Sequence, residues 1–236
     1  MQPISSEEFI DHFAKFKSEL DLLNRGFSME WHEKMPILND RTETTSYDKH
    51  YVYHIGWASR IIANIKPQKH IDISSMHWFP IILSAFLPVD YYDYRPLQVH
   101  LTNLKTLHAD ITNLPFDDNS IKSLSSMHVV EHIGLGRYGD PIDPNGDLKA
   151  INELKRVLAP LGYLLFVVPV GKPKIVFNAH RIYSYSQIMD YFKDLTLIDY
   201  ALISGYDNYN GLIQNATKEQ TDIEDYGCGC FLFKKI

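Results

Sequence analysis

Two polar segments, residues 131–147 and 178–183, contain the side chains that are best suited to acid–base chemistry and to binding a polar ligand. A neutral imidazole can accept a hydroxyl proton near physiological pH, so we predict His180 as the first candidate for a general base and His132 as the second. The surrounding side chains are predicted to bind the hydroxyl groups or a phosphate of a small substrate: Glu131, Arg137, Asp140, Asn178 and Arg181.

A structural role is the alternative for part of this set. Arg137, Asp140 and Asp143 could instead hold a long loop together through hydrogen bonds. For His180 the alternative predicts a buried imidazole that is bonded to the backbone, and a large loss of stability when it is replaced. If both segments follow parallel strands, they meet at one edge of a sheet. A shared site therefore predicts that one of the two histidines faces a pocket together with an arginine.

The elements that must position these segments alternate between strands and helices from residue 69 onward. The predicted strands cover residues 69–74, 89–94, 105–109, 121–130, 161–170, 196–203 and 226–234, and the predicted helices cover 77–87, 147–158 and 184–193. Asp147, at the start of helix 147–158, is predicted to cap this helix. Strands that alternate with helices predict a doubly wound α/β sheet.

Two further helices are predicted in residues 1–66, which we interpret as an N-terminal helical layer of the same compact unit as the α/β domain at residues 67–236. Ser5 and Glu8 form a capping-box pattern that begins the first helix. The second helix is predicted over residues 49–65. These helices could form a lid, or a contact between two copies of the chain that would make a homodimer.

The stretch HADITNLPFDDNSIKSLSSMHVVEHI, residues 108–133, indicates a strand, an acidic turn, a loop and a buried strand that ends in polar residues. It resembles the third and fourth strands of class I S-adenosylmethionine (SAM)-dependent methyltransferases. The segments EHIGLGRYGDP and FNAHRIY also closely resemble a little-characterised methyltransferase-like family of unknown function, first described from nematodes and found also in bacteria. The resemblance implies a seven-stranded Rossmann-like methyltransferase sheet and methyl transfer to a small polar acceptor, such as a sugar or a sugar-linked intermediate.

In the methyltransferase family, SAM contacts the ends of three strands. A glycine-rich turn after the first strand receives the methionine part, an acid after the second binds the ribose, and an acid after the third reads the adenine. Asp93 matches the second position and Asp110 the third. At the first, residues 72–78 read Asp-Ile-Ser-Ser-Met-His-Trp, so serine, methionine and tryptophan replace three glycines. The cofactor implied is SAM, with these expected contacts: Asp72, Ser74, Ser75, Asp93, Asp110 and His128.

The replaced glycines leave two other functions open, because glycine allows backbone geometry and close ligand approach that other residues restrict. One alternative is a methyltransferase-like binding or scaffold module with a degenerate SAM site. The other is an enzyme that uses the same polar pocket for a different reaction, such as hydrolysis or isomerisation.

Two patterns suggest a metal but favour another interpretation. His128, Glu131 and His132 match the H-x-x-E-H pattern of inverted zinc peptidases. That chemistry needs a helix, whereas these residues lie at a predicted strand end. Cys228 and Cys230 lie on one face of a predicted strand, where two small core residues are favoured over half a metal site. We therefore predict no bound metal.

The composition limits which cellular compartment and which binding partners are expected. The 236 residues carry a formal net charge of −6 and have an isoelectric point near 6.0, so nucleic acid is not an expected partner. The longest apolar run, residues 78–89, is too short to span a bilayer, and no signal-peptide pattern is recognised. With only two cysteines, a disulfide framework is not expected. A cytoplasmic protein that binds a small molecule and no membrane is the expectation.

Overall fold

The computed structural model describes residues 2–23, 25–206 and 211–236. The chain divides into two compact units, Met1–Tyr47 and Asp48–Ile236. The N-terminal layer predicted from the sequence includes the second helix, whereas the structure places this helix in the larger unit. The boundary therefore lies before this helix rather than after residue 66.

The smaller unit contains one long helix, α1 (Ser6–Leu23), and a short 3-10 helix, Trp31–Glu33. The hydroxyl of Ser5 accepts a hydrogen bond from the backbone of Glu8 at 3.0 Å, which satisfies one of the free amides at the helix start. The Arg41 guanidinium pairs with the Glu8 carboxylate at 2.6 Å.

The larger unit is built on an eight-stranded sheet with the order β3-β2-β1-β4-β5-β10-β8-β9. The first five strands in this order are parallel, and β10 lies antiparallel between β5 and β8. The strands are β1 (His70–Ile73), β2 (Val89–Asp93), β3 (Leu104–His108), β4 (Ile121–Met127), β5 (Leu158–Val170), β8 (Thr196–Ile203), β9 (Leu212–Gln214) and β10 (Gly227–Lys234). This is the doubly wound α/β class that the sequence predicts.

Three strands were not predicted. The edge strand β9 lies in the connection between residues 204 and 225, so the sheet has eight strands rather than seven. The other two, β6 (Lys174–Val176) and β7 (His180–Ile182), form an antiparallel hairpin outside the main sheet. All three are only three residues long, so they carry too little periodicity to stand out in the sequence.

Helices cover both faces of the sheet: α2 (Lys49–Ile65), α3 (Trp78–Ser84), α4 (Gly146–Val157), α5 (Tyr185–Tyr191) and α6 (Lys218–Asp222). On one face, α4 buries Ile151 and Leu154 in the core. On the other, α2 and α3 bury Trp57, Phe79 and Leu83. Burying each such side chain contributes about 1.5–3 kcal/mol, so packing anchors the helices that flank the site.

The starts of two helices determine which side chains are free for other contacts. Asp48 caps α2 by accepting a hydrogen bond from the backbone of Tyr51 at 3.2 Å. Asp147 does not cap α4, contrary to the sequence prediction. The helix begins one residue earlier, at Gly146, and the Asp147 carboxylate instead accepts a hydrogen bond from the Tyr183 hydroxyl at 2.9 Å.

The strand order reverses at β1, where β2 and β3 lie to one side and β4 and β5 to the other. Open α/β sheets bind ligands in the crevice beyond the carboxyl ends of the strands at such a switch point. In the described part of the chain, no helix combines the length and apolarity needed to cross a membrane.

Candidate functional site

Two adjoining cavities lie beyond the carboxyl ends of the central strands. Their volumes are about 220 Å³ and about 540 Å³. Ser74, which directly follows β1, and Tyr138, in the loop after β4, line both cavities. The two cavities therefore border the same residues at the switch point of the sheet.

The smaller cavity has largely apolar walls, and its lining includes three aspartates, Asp110, Asp140 and Asp143. Ala109 and Ile111 line one side, after β3, and Val129 and Ile133 line the other, after β4. Asp110 also lines it, and its Oδ1 accepts hydrogen bonds from the backbone and hydroxyl of Thr112 at 2.8 Å and 2.7 Å. Apolar walls with a carboxylate that can accept from an exocyclic amine suit an adenine ring.

The larger cavity is polar, and the two polar segments of the sequence converge on it. His132, Arg137 and His180 all line it. The His132 Nδ1 atom lies 2.6 Å from the Ala179 carbonyl oxygen, and the Arg137 Nη1 atom lies 3.0 Å from the same oxygen. Because a carbonyl only accepts, His132 Nδ1 must donate, which leaves Nε2 as the basic atom of the neutral ring.

Glu131 is the buried centre of this group. Its Oε1 accepts a hydrogen bond from His128 Nδ1 at 2.9 Å and lies 3.7 Å from His132 Nε2. Its Oε2 is buried and has no hydrogen-bond partner among the described residues. Burial raises the pKa of Glu131 to about 7, and it lowers the pKa of His128 to about 4. The larger cavity is therefore bordered by a carboxyl group that titrates near pH 7 and by the neutral imidazole of His128.

His180 lies at the start of β7 and is partly buried. Its ring contacts Tyr226, with 5.0 Å between the ring centroids. Burial lowers the pKa of His180, while the nearby Glu131 carboxylate opposes this shift. The position of His180 on the cavity wall matches the geometry expected of a shared site.

Several residues predicted to bind substrate instead hold the loop and hairpin in place. Arg181 is buried, and its guanidinium donates to the Ile133 carbonyl at 2.6 Å and lies 3.5 Å from the Asp147 carboxylate. Asp140 lines the smaller cavity, yet its Oδ2 accepts from the backbone of Gly134 at 2.8 Å. These contacts match the structural alternative for Asp140 and correct the expectation that Arg181 faces the substrate.

The hairpin turn accounts for another predicted residue. Asn178 is exposed and has a φ of 52°, in the left-handed region that asparagine adopts more readily than most residues. It is not among the described residues that line either cavity. Its position indicates a role in forming the turn between β6 and β7, and a direct substrate contact by Asn178 stays a prediction.

Asp72 lies behind the cavities rather than in them. It is fully buried and accepts hydrogen bonds from the Ser75 backbone at 3.0 Å and the Ser125 hydroxyl at 2.8 Å. Ser125 and Ser123 also bond the buried imidazole of His70, at 2.9 Å and 2.8 Å. The predicted cofactor contact at Asp72 is thus part of a polar network within the sheet.

The two serines after β1 line the larger cavity, but their hydroxyls already have protein partners. Ser74 Oγ donates to the Tyr92 carbonyl at 3.1 Å, and Ser75 Oγ accepts from the Met127 backbone at 3.0 Å. Ser74 has a φ of 58°, so it keeps the left-handed conformation that favours glycine. The turn after β1 is therefore preserved without glycine.

Met76 and Trp78 occupy the other two positions at which the methyltransferase motif has glycine, and their side chains lie in different environments. Met76 lines the larger cavity, whereas Trp78 begins α3 and is 55% exposed. Asp93, the predicted ribose acid, accepts from the Tyr91 hydroxyl at 2.9 Å and from the Arg95 backbone at 2.7 Å. Asp93 is not among the described residues that line the two cavities, so its predicted role finds no support in this geometry.

Two tyrosines that line the larger cavity, and two histidines of α2 that pack near them, were not predicted from the sequence. Tyr51 and Tyr226 line it, and the His50 ring stacks on Tyr226 at 5.1 Å. His54 contacts the His128 ring at 5.1 Å. Burial lowers the pKa of His50 to about 4 and that of His54 to about 3. The four-residue spacing of the two histidines, which puts them on one helix face, was the available signal.

The chain is similar in fold to several solved structures, methyltransferases among them. The Bacillus halodurans protein BH2331, a candidate methyltransferase, aligns with a TM-score of 0.55 and 14% identity over 77% of this chain and 98% of its own. The N-methyltransferase NodS from Bradyrhizobium japonicum, in complex with S-adenosyl-L-homocysteine, aligns with a TM-score of 0.52 and 13% identity over 77% and 85%. The [4+2]-cyclase SpnF aligns with a TM-score of 0.50 and 14% identity over 75% and 80%.

No curated protein matches the sequence. One family of sequences does match: the profile described as "Caenorhabditis protein of unknown function, DUF268" covers residues 104–226, which is just over half of the chain and includes both polar segments. The chain therefore belongs to this family.

Proposed function

We propose that this protein is a SAM-dependent methyltransferase that acts on a small polar acceptor, such as a hydroxyl group of a sugar or a sugar-linked intermediate. The observation that carries the proposal is the meeting of two chemically different cavities at Ser74. One has apolar walls and, in Asp110, a carboxylate that could accept from the amine of a nucleoside base. The other offers imidazoles, a carboxyl group and a guanidinium, as an acceptor that loses a proton requires.

The residues at the nucleoside side fit the cofactor. Ile111 and Val129 could sandwich an adenine ring, and Asp110 could accept from its amine. The positions expected to contact the ribose and the methionine part of SAM depart from the methyltransferase motif. The Asp93 carboxylate accepts a hydrogen bond from the Tyr91 hydroxyl, and the Met76 side chain replaces a glycine. When bound, SAM would supply an electrophilic methyl group. We infer that contacts at the nucleoside side make the larger contribution to its affinity.

The polar cavity would orient the acceptor and remove its proton. His132 has its Nδ1 bonded to Ala179, so its Nε2 is the atom available to take a proton. Glu131, 3.7 Å from that Nε2, would stabilise the imidazolium that results. Arg137 would bind an acceptor oxygen. This geometry favours His132 over His180 as the base, and general-base assistance of this kind contributes roughly 10²–10⁴-fold to rate.

A methyltransferase-shaped enzyme that does not use SAM is the second candidate. Two observations favour it: the Asp93 carboxylate already has protein partners, and Met76 occupies part of the wall where a glycine would leave space. The similarity to a [4+2]-cyclase suggests that the fold accommodates another reaction.

Thermal denaturation with SAM and with S-adenosylhomocysteine separates the two candidates. A ligand present at 100 times its Kd should stabilise the protein by about 2.7 kcal/mol. Asp110→Asn should weaken the stabilisation, whereas Asp117→Asn, an exposed carboxylate of the same loop, should leave it unchanged. No stabilisation by either ligand at millimolar concentration would favour the second candidate.

A further inference from the structure

We propose that His50, His128 and Cys228 form a binding site for one divalent transition-metal ion, with Zn²⁺ as the best match. Each residue offers one ligand atom, and the three atoms lie within 4.8 Å of one another. The residues come from the first turn of α2, the turn after β4 and the start of β10. The site is independent of methyl transfer and goes beyond it.

The separation of two of the ligand atoms matches tetrahedral zinc coordination. His128 Nε2 lies 3.4 Å from Cys228 Sγ. With Zn–N and Zn–S bonds of about 2.1 Å and 2.3 Å, a tetrahedral site places such atoms about 3.6 Å apart. The His50 ring stacks on that of His128 with 5.8 Å between centroids and an 11° angle between planes. The ligand atom of His50 lies within 4.8 Å of the other two, so the three side chains can share one ion.

The surroundings of His128 also fit a metal ligand. Its Nδ1 bonds to Glu131 Oε1 at 2.9 Å, which directs the Nε2 lone pair toward Cys228. Metal-bound histidines usually donate their second ring nitrogen to a carboxylate or carbonyl in this way. Glu131 Oε2 is buried without a hydrogen-bond partner among the described residues. A divalent cation bound to His128, on the far side of its ring from Glu131, would offset the cost of burying this carboxylate.

The ligand set indicates which metals would bind. A thiolate and two imidazoles select Zn²⁺ and related transition metals over Mg²⁺ and Ca²⁺, which prefer oxygen ligands. Three protein ligands leave a fourth position for water or a bound molecule, as in catalytic zinc sites. His128 lines the larger cavity, so a hydroxyl or thiol group held in that cavity is the class of ligand that could take this position.

Two buried cysteines provide a matched test. Cys228 and Cys230 lie two residues apart in β10 and both are fully buried, but only Cys228 belongs to the cluster. The full chain, treated with a chelator and dialysed, is titrated with Zn²⁺ by calorimetry and with Co²⁺ by absorption spectroscopy. We expect one equivalent of Zn²⁺ per chain and a thiolate-to-cobalt charge-transfer band. Cys228→Ser should abolish the band and weaken Zn²⁺ binding at least 100-fold, whereas Cys230→Ser should retain both.

His50→Gln and Glu131→Gln extend the test without altering a thiol. We expect His50→Gln to shift the Co²⁺ spectrum and weaken Zn²⁺ binding, and Glu131→Gln to weaken it roughly 10–100-fold, as loss of a carboxylate behind a metal-bound histidine does. Absence of Zn²⁺ uptake by the wild-type protein, or equal loss in both serine variants, would overturn the proposal. Calorimetry with SAM on the same samples reports separately on cofactor binding, on which the proposed methyl transfer depends, so either proposal can fail alone.

Discussion

Replacing Asp72 with asparagine is expected to remove a large part of the pH dependence of this protein's stability. Burial raises the pKa of the Asp72 carboxyl group to about 7, from an ordinary value of 3.8. A raised pKa means that the folded protein binds this proton more tightly than the unfolded chain. The stability contributed by the protonated group is therefore fully present below pH 3.8 and is lost as the pH rises through 7.

The size of this effect follows from the two pKa values. They differ by about 3, and one pKa unit corresponds to about 1.36 kcal/mol, so the ionised carboxylate destabilises the fold by about 4 kcal/mol well above pH 7. Asparagine can keep the hydrogen bonds without the charge. Its amide nitrogen would donate to Ser125 Oγ, and the Ser125 hydroxyl, now 2.9 Å from His70 Nε2, would donate to that imidazole instead.

The assay is urea denaturation of the wild-type protein, Asp72→Asn and Asp117→Asn across the pH range. Relative to wild type, Asp72→Asn should gain about 2.5 kcal/mol between about pH 5 and about pH 8. Asp117 is exposed, so its variant controls for the loss of one negative charge. Other buried groups, such as His54, titrate in every variant and cancel in the difference. A difference between Asp72→Asn and wild type that stays constant across this range would refute the reasoning.

Three further outcomes are expected. Arg181→Met should destabilise the protein by about 3–5 kcal/mol in urea denaturation, because it leaves a buried carboxylate without its cation, whereas Lys174→Met on the same hairpin should have little effect. His132→Gln should lower methyl transfer roughly 100-fold, measured as S-adenosylhomocysteine release, with no large change in Tm, and the exposed His100→Gln should match wild type. Met76→Ala should tighten SAM binding measured by calorimetry, and an unchanged Kd would show that this side chain does not narrow the cofactor side.

Most of the sheet could be predicted because its strands are long and buried. β4 and β5 are near-continuous runs of residues that the structure buries, and α4 repeats its apolar residues at helical spacing. Asp147 shows where local rules failed. Its residue type predicts a helix cap, but the helix begins at Gly146, and a buried arginine and the Tyr183 hydroxyl bind the Asp147 carboxylate. Long-range partners of this kind are not encoded in local spacing.

The candidate site was predicted where chain order alone decides position. His132, Arg137 and His180 follow parallel strands or their connections, and they share one cavity. His50 and Cys228 were missed because their proximity depends on two facts that no local pattern contains. One is the packing of α2 against the sheet, and the other is the insertion of β10 next to β5. Cys228 was therefore interpreted only as a small core residue.

The turn after β1 shows why a missing glycine is weak evidence for a lost ligand site. Ser74 adopts a φ of 58°, which costs about 1–2 kcal/mol for a residue with a side chain. Its backbone and hydroxyl both donate to the Tyr92 carbonyl, at 2.7 Å and 3.1 Å, and these bonds offset the strain. The turn thus keeps its shape and still borders both cavities. Ser74 and Met76 both line the larger cavity, but the methionine side chain is much the larger of the two. We therefore expect SAM binding to depend on Met76 more than on the absence of glycine at position 74.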